Sequence, residues 1–457
     1  MFYNQRFKQM QKIAALILAV LLGLGIPGFG AEQKDNRPET VESFMDMGFG
    51  MFVHWSVDSQ LGAVISHSLS GASKDYQERF FSELPKTFNP KRFDPEDWAV
   101  LAKLAGMEYV VFTVKHHSGF CMWQTKTTDF GLSSTPYNGD IFREVLDAFR
   151  EQGIKVGFYF SPEDFSVLFS QGYPIGRLQH PMHYPANNSV LMEHDKKQLK
   201  ELLTNYGKID VLFFDGPAEG LKEYAWKLQP DIMVTRGHIN TPEQTTPDSP
   251  LPGPWESCYT MGTDWQYKPT NDPHKSGNEI IRMLIEIRAK GGNFLLNVGP
   301  KPDGEIQIEQ QERLREVALW NFVNGEAIHG VRPWHVTHED NIWYTASKDG
   351  NTVYAFVTDP WPYAKRRQFV FPTLKGGPDT RVSVLGYASE LIEYRENADA
   401  AVRWQPTDLG LVVSAVRGQR LYTNNKWPNP VVLKIENVEY APAQSADEKR
   451  STIDGAK

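Results

Sequence analysis

The sequence predicts an irregular (β/α) TIM-like barrel followed by a small β-sandwich. From about Met47 to Val323, short and nearly continuous apolar runs alternate with amphipathic stretches of helical period. After Gly330 the helical period stops, and short alternating runs divided by turn residues replace it. Polar residues also follow directly on the ends of several apolar runs in the first part. Unbroken apolar runs are what strands buried on both faces of a parallel sheet require. Their repetition with helices over most of the chain favours a barrel over an open doubly wound sheet.

At the start, Arg6, Lys8 and Lys12 precede an apolar run at 13–26, which meets Gly28, Gly30 and Ala31. That order of charge, apolar stretch and small residues predicts a secretory signal peptide over residues 1–31. The run is short of the ~20 residues a membrane span needs. The expectation is an exported protein, periplasmic or extracellular, with no membrane span in the mature chain. Residues 32–330 are then the barrel, 331–440 the β-sandwich, and 441–457 a polar, disordered tail.

Within the barrel the expected strands are 49–54 (FGMFVH), 109–115 (YVVFTVK), 156–160 (VGFYF), 211–214 (VLFF), 232–235 (IMVT) and 294–298 (FLLNV). Helices are expected at 94–105, 140–152, 192–206, 276–290 and 309–323. The first opens on Asp94-Pro95, a cap followed by proline at the first helical position. The second carries Ile141, Val145, Leu146 and Phe149 on one face. The sandwich strands are expected at 342–345, 352–357, 381–384, 411–415 and 431–435. Turns at Asp349-Gly350-Asn351 and at Gly376-Gly377-Pro378-Asp379 separate some of them.

A net charge of −8 argues against a nucleic-acid partner held by phosphate neutralisation. Two cysteines, Cys121 and Cys258, cannot form a disulfide framework. No GxGxxG follows an expected strand, no GxxxxGK occurs, and a GxSxG elbow and HExxH or HxH spacings are missing from the sequence. What remains lies at strand ends: His54-Trp55, Lys115-His116-His117, Asp215 and Arg236. In a (β/α) barrel such positions converge on the carboxyl-terminal mouth. A carboxylate there, further acids on later loops and many aromatic residues suit a glycosidase, which needs two carboxyl groups flanking a sugar.

The motifs resemble those of glycoside hydrolase family 29, the α-L-fucosidases, over roughly residues 43–335. GMFVHWS at 50–56 is similar to the family's first strand. FDPEDWAVLAKLAGMEYVVFTVKHHSGFCMW at 93–123 is similar to its second strand with the preceding helix. LLTNYGKIDVLFFDG at 202–216 resembles the nucleophile strand, and RAKGGNFLLNVGPKPDGEI at 288–306 and NGEAIHGVRPW at 324–334 resemble the closing segments. The resemblance implies an exo-acting, retaining enzyme that releases terminal α-L-fucose from an oligosaccharide or polysaccharide, with no metal or cofactor. It places Asp215 as nucleophile and His54, His116 and His117 on the sugar hydroxyls. Tyr159 then lies near the nucleophile and Arg236 near both catalytic carboxylates.

For the acid/base, Glu243 in Thr241-Pro242-Glu243 is the first candidate, Glu256 in the "WExC" element the alternative, and Asp248 a third. Trp55, Trp123 and Trp255 are candidates to stack on or shape the sugar pocket. One loop departs from the family pattern. Where many members have "EWYS", residues 65–73 read ISHSLSGAS, so the carboxylate is missing and His67 or Ser68 is expected to supply the polar contact. This leaves α-L-galactoside as an alternative glycone for the same fold and mechanism, with a non-catalytic sugar-binding relative as the remaining reading.

Overall fold

The computed structural model describes residues 33–177, 180–422 and 427–442. The expected signal peptide at 1–31 and all but the first two residues of the expected tail lie outside the described residues. No described helix is long and apolar enough to cross a membrane.

Seven parallel strands form the first sheet: β1 (Phe49–Val53), β2 (Tyr109–Lys115), β3 (Lys155–Phe160), β4 (Val211–Phe214), β5 (Met233–Val234), β6 (Glu256–Thr260) and β7 (Asn293–Val298). They lie in the order β5-β4-β3-β2-β1-β7-β6, a curled sheet left open between β5 and β6. The extended segment 240–243 runs beside β6 through two isolated parallel bridges, Asn240 to Trp255 and Glu243 to Cys258. That segment stands where an eighth strand would close a barrel. β6 was not among the expected strands; its sequence ESCYT is too short and polar to register as an apolar run.

The unbroken apolar runs divide by alternation. Phe52, Tyr109, Val111, Tyr159, Val211, Phe213, Met233, Cys258 and Leu295 form a compact cluster within the curve of the sheet. Their neighbours, such as Met51, Val110, Phe112, Phe158, Leu212 and Leu296, belong to the larger core that includes the helices. Gly50 is required by packing, since a Cβ there would lie 2.5 Å from the Tyr109 ring. The expected helices appear at Pro95–Ala105, Ile141–Glu151, Ser189–Asn205, Gly277–Ala289 and Ile308–Asn324. Asp94 and Asp140 cap the first two, and Ser276 with Glu279 forms a capping box on the fourth.

From Val331 onward the chain is antiparallel: β8 (Val331–Glu339), β9 (Ile342–Ser347), β10 (Thr352–Val357), β11 (Arg366–Phe371), β12 (Leu374–Val384), β13 (Arg403–Thr407), β14 (Gly410–Val416) and β15 (Val431–Tyr440). They form a five-stranded sheet, β12-β15-β10-β9-β8, and a three-stranded sheet, β11-β14-β13. Residues 376–379, expected as a turn between strands, lie inside β12, where the register against β15 shifts between Gly376 and Arg381. β8, β11 and β13 were also not expected, because their charged and exposed positions obscure the alternation. Trp320 ties the two parts together, donating its indole N–H to the Pro430 carbonyl at 2.8 Å.

Candidate active site

A pocket of about 250 Å³ opens at the carboxyl-terminal ends of the parallel strands, lined by His54, His67, His116, Tyr159, Arg177, Asp215, Arg236, Glu243 and Trp265, with Phe52, Phe213 and Cys258 among the apolar or weakly polar walls. The strand ends bring most of these residues there. His54 follows β1, and its backbone N–H still bonds to Val298 on β7. β2 ends at Lys115, so His116 and His117 lie beyond the strand and escape the alternation that would otherwise separate neighbours. The register of β2 against β3 shifts just before Lys115, and the Lys115 ammonium points into the protein, 3.2 Å from Asp164 and 2.9 Å from Asp195, with all three side chains fully buried.

Asp215 follows β4, held by a backbone bond to Phe160 of β3. Its Oδ2 accepts the Tyr159 hydroxyl at 2.7 Å and faces His117 Nε2 at 3.3 Å and Arg177 Nη1 at 3.5 Å. Among the described residues its Oδ1 pairs with Arg236 Nη1 at 3.3 Å. Burial pushes the Asp215 carboxyl up, but hydrogen bonding and charge from His117, with the charges of Arg236 and Arg177, outweigh it and hold the group well below the usual carboxylate range. Tyr159 moves the other way: burial, then the neighbouring Asp215 charge, keep its hydroxyl protonated as a donor.

The same Arg236 Nη1 donates to Glu243 Oε2 at 2.7 Å. The two contacts therefore place Asp215 Oδ1 and Glu243 Oε2 no more than about 6 Å apart. Glu243 is the more open of the two, its side chain 43% exposed against 15% for Asp215. Arg236 is anchored from behind by Thr241, through its hydroxyl and its carbonyl. An ionised carboxylate beneath and an accessible carboxyl at the rim, within a pocket for one sugar ring, is an arrangement that can attack an anomeric carbon and exchange a proton with its substituent.

Other candidates lie elsewhere. Glu256 is the first residue of β6, at the amino-terminal end of the sheet, opposite the mouth. It is fully buried and accepts the hydroxyl of Tyr109, the first residue of β2, at 2.5 Å. Burial raises its pKa to about 7, yet it has no path to a sugar in the pocket. Asp248 is exposed and does not line the pocket. Trp55, one residue beyond His54, turns away and packs against Phe88, Phe93 and Trp98. Trp123 donates to Glu201, and Trp255 donates to the Lys290 carbonyl; both are buried away from the pocket. The aromatic wall is Trp265 instead, whose ring lies 4.8 Å from that of His54. His67 lines the pocket as expected, whereas Ser68 accepts the Tyr76 hydroxyl outside it.

Arg177, Trp265 and Asn297 were not expected. Arg177 and Trp265 come from loops that carry no periodic signal, and Asn297 reads as part of an apolar strand. Asn297 bonds His54 Nδ1 at 2.7 Å. Both cysteines are free and buried. Cys258 Sγ lies 3.6 Å from Arg236, and burial pushes its thiol pKa up, which suits a packing residue rather than a nucleophile.

The donor atoms of His116, His117 and Asp215 lie within 4.8 Å of one another, the spacing a metal ion can bridge. The Nδ1 atoms already have partners, Ser66 for His116 and Ser161 for His117. The Arg177 guanidinium sits 2.6 Å from His117 Nε2, a cation where a dication would bind.

The family model described as Alpha-L-fucosidase matches residues 30–326. The chain belongs to the alpha-L-fucosidase family. Tissue alpha-L-fucosidase of Rattus norvegicus is 30% identical over 406 residues, covering 78% of this chain and 84% of the relative. The human tissue enzyme is 28% identical over 401 residues, covering 78% and 83%. Among solved structures, alpha-L-fucosidase isoenzyme 1 from Paenibacillus thiaminolyticus is 29% identical, with a TM-score of 0.70 over 88% of this chain and 99% of that one. Family membership makes the chain a glycosidase of the family 29 fold.

Proposed function

We propose that this enzyme releases terminal α-L-fucose from glycans by double displacement with retention of anomeric configuration. The separation of the two carboxylates carries the reading: retaining enzymes hold theirs about 5–5.5 Å apart, whereas inverting ones need about 6.5 Å or more to admit a water. The limit of about 6 Å between Asp215 Oδ1 and Glu243 Oε2, both bound to Arg236 Nη1, supports the shorter, retaining spacing.

In the first step, Asp215 attacks the anomeric carbon while protonated Glu243 gives its proton to the departing glycosidic oxygen. In the second, Glu243 takes a proton from water, the water oxygen attacks the same carbon, and the bond to Asp215 breaks. Tyr159 and Arg236 support this by holding one carboxylate oxygen each, His117 by lying against Asp215, and His54, His67 and His116 by lining the pocket around the sugar hydroxyls. NMR of the first-formed sugar tests the reading: the α-anomer is expected, and an initial β-anomer would reject double displacement.

His67, in the loop that lacks the family's carboxylate, supports α-L-galactoside as a second glycone, since a polar side chain there can meet the extra C6 hydroxyl. Side-by-side hydrolysis of 4-nitrophenyl α-L-fucoside and α-L-galactoside ranks the two. We also propose export after removal of residues 1–31, which amino-terminal sequencing of the secreted protein checks.

A further inference from the structure

His116 lies in the pocket with its ring stacked on Tyr159 at 5.2 Å, and its Nδ1 is 2.8 Å from Ser66 Oγ. Ser66 is fully buried, and its hydroxyl oxygen already accepts the Ser118 backbone N–H at 2.8 Å. A serine hydroxyl has one hydrogen, and a buried O–H needs an acceptor. Among the described residues, the acceptor it meets is His116 Nδ1. The proton on the neutral ring then belongs to Nε2, the nitrogen left for the pocket. Burial, reinforced by the neighbouring histidines, holds His116 far below the ordinary histidine range, so the ring stays neutral.

The Ser66 backbone is strained into this place. Its φ is +58°, a left-handed conformation that favours glycine, and its N–H donates to the buried carboxylate of Asp58 at 2.6 Å. His54, the next imidazole in the pocket, has the opposite arrangement. Asn297 Nδ2 donates to the Trp265 carbonyl at 2.5 Å, which turns its Oδ1 toward His54 Nδ1. An amide oxygen only accepts, so His54 carries its proton on Nδ1 and presents a bare Nε2.

We propose that Ser66 is a positioning residue that fixes His116 as the Nε2–H tautomer, so that His116 donates a hydrogen bond to the glycone while His54 accepts one. The sugar must then offer an oxygen lone pair to His116 and a hydroxyl hydrogen to His54. This rests on the glycosidase reading of the pocket, and on the fucosidase reading only for the sugar used in the assay.

The test is histidine ¹⁵N NMR on the full enzyme and on Ser66→Gly and Ser66→Ala, with His116→Asn to assign the signal. Alanine deletes only the hydroxyl and keeps the strain; glycine removes the whole side chain but suits the positive φ, which checks that strain is not the cause. The expected wild-type signal has His116 Nδ1 unprotonated and Nε2 protonated. Both variants should shift this tautomer balance, leave the His54 signal in place, and lower kcat/KM on 4-nitrophenyl α-L-fucoside about tenfold. A proton on Nδ1 in the wild type overturns the proposal, as do variants that keep both the tautomer and kcat/KM. If the wild type cleaves no α-L-fucoside, the fucosidase reading fails, while the NMR signal still decides the tautomer.

Discussion

Asp215 and Glu243 meet at a single nitrogen, Arg236 Nη1, which lies 3.3 Å from the first and 2.7 Å from the second. The two carboxylates belong to different elements, one at the end of β4 and the other on the strand-like segment beside β6. Arg236, at the end of the short strand between them, sets their spacing. The contrast in exposure and surroundings separates their roles: Asp215 is held ionised by its cationic neighbours, and Glu243 faces the opening.

Asp215→Ala should lower turnover by about a thousandfold or more, since a nucleophile acts as a unit with its partners. Azide should then restore activity, because a small anion fits the space left by the carboxylate, and the glycosyl azide should have inverted configuration. Kinetics with and without azide, with NMR of the product, check this. A mutant with near-native turnover removes Asp215 from the mechanism.

Glu243→Ala should cripple cleavage of natural linkages, whose leaving oxygen must be protonated, and spare the first step on an activated aryl fucoside. Azide rescue should here give the retained product, the opposite of Asp215→Ala. Glu256→Gln, at the far end of the barrel, should keep activity within a few-fold. Loss of activity confined to poor leaving groups in Glu256→Gln would reverse this assignment.

Glu256 should instead set how stability responds to pH. Burial raises its folded pKa from 4.5 to about 7, so the folded chain holds a proton that the unfolded chain has already released. The native state then binds more protons across that window, and stability falls as pH rises from about 4.5 to 7. The effect of this one group reaches roughly 3 kcal/mol above pH 7. Asp195, raised to about 7, and Asp58, raised to about 6, both by burial, act with the same sign. Thermal melting between pH 5 and pH 9 should show the fall in the wild type and a shallower one in Glu256→Gln. Equal slopes would contradict the buried, protonated state.

Chelation should leave activity unchanged, and the purified protein should hold no stoichiometric zinc. The basis is Arg177, whose guanidinium takes the place against His117 Nε2 that a metal would need. One metal per chain, with activity lost on its removal, would mean that Arg177 moves aside and the two histidines with Asp215 act as ligands.

The parts legible in sequence were those with strong burial on both faces or a cap. β2 and β4 begin and end where their apolar runs do, and Asp94, Asp140 and Ser276 mark their helices. Asp215, His54, His116, His117, Tyr159, Arg236, His67 and Glu243 all reach one pocket or its immediate wall. The errors share a cause, the direction of a side chain relative to its strand. Trp55 follows a pocket residue and so points away from the pocket. Glu256 lies in a recognisable motif, but only knowledge that β6 begins there shows that it sits at the wrong end. Arg177 and Trp265 lie on loops whose paths depend on the whole fold, so no local pattern announces them.

The most direct test of the central claim is to incubate the enzyme with a 2-deoxy-2-fluoro-α-L-fucosyl donor carrying a good leaving group, then digest it and sequence the labelled peptide by mass spectrometry. The fluorine slows both steps, and the activated leaving group lets the first outrun the second, so a covalent intermediate accumulates. The account predicts one fluorofucosyl group per chain, attached to Asp215. A label on another residue, or unimpeded turnover of the ordinary fucoside with no label under inactivating conditions, would contradict it.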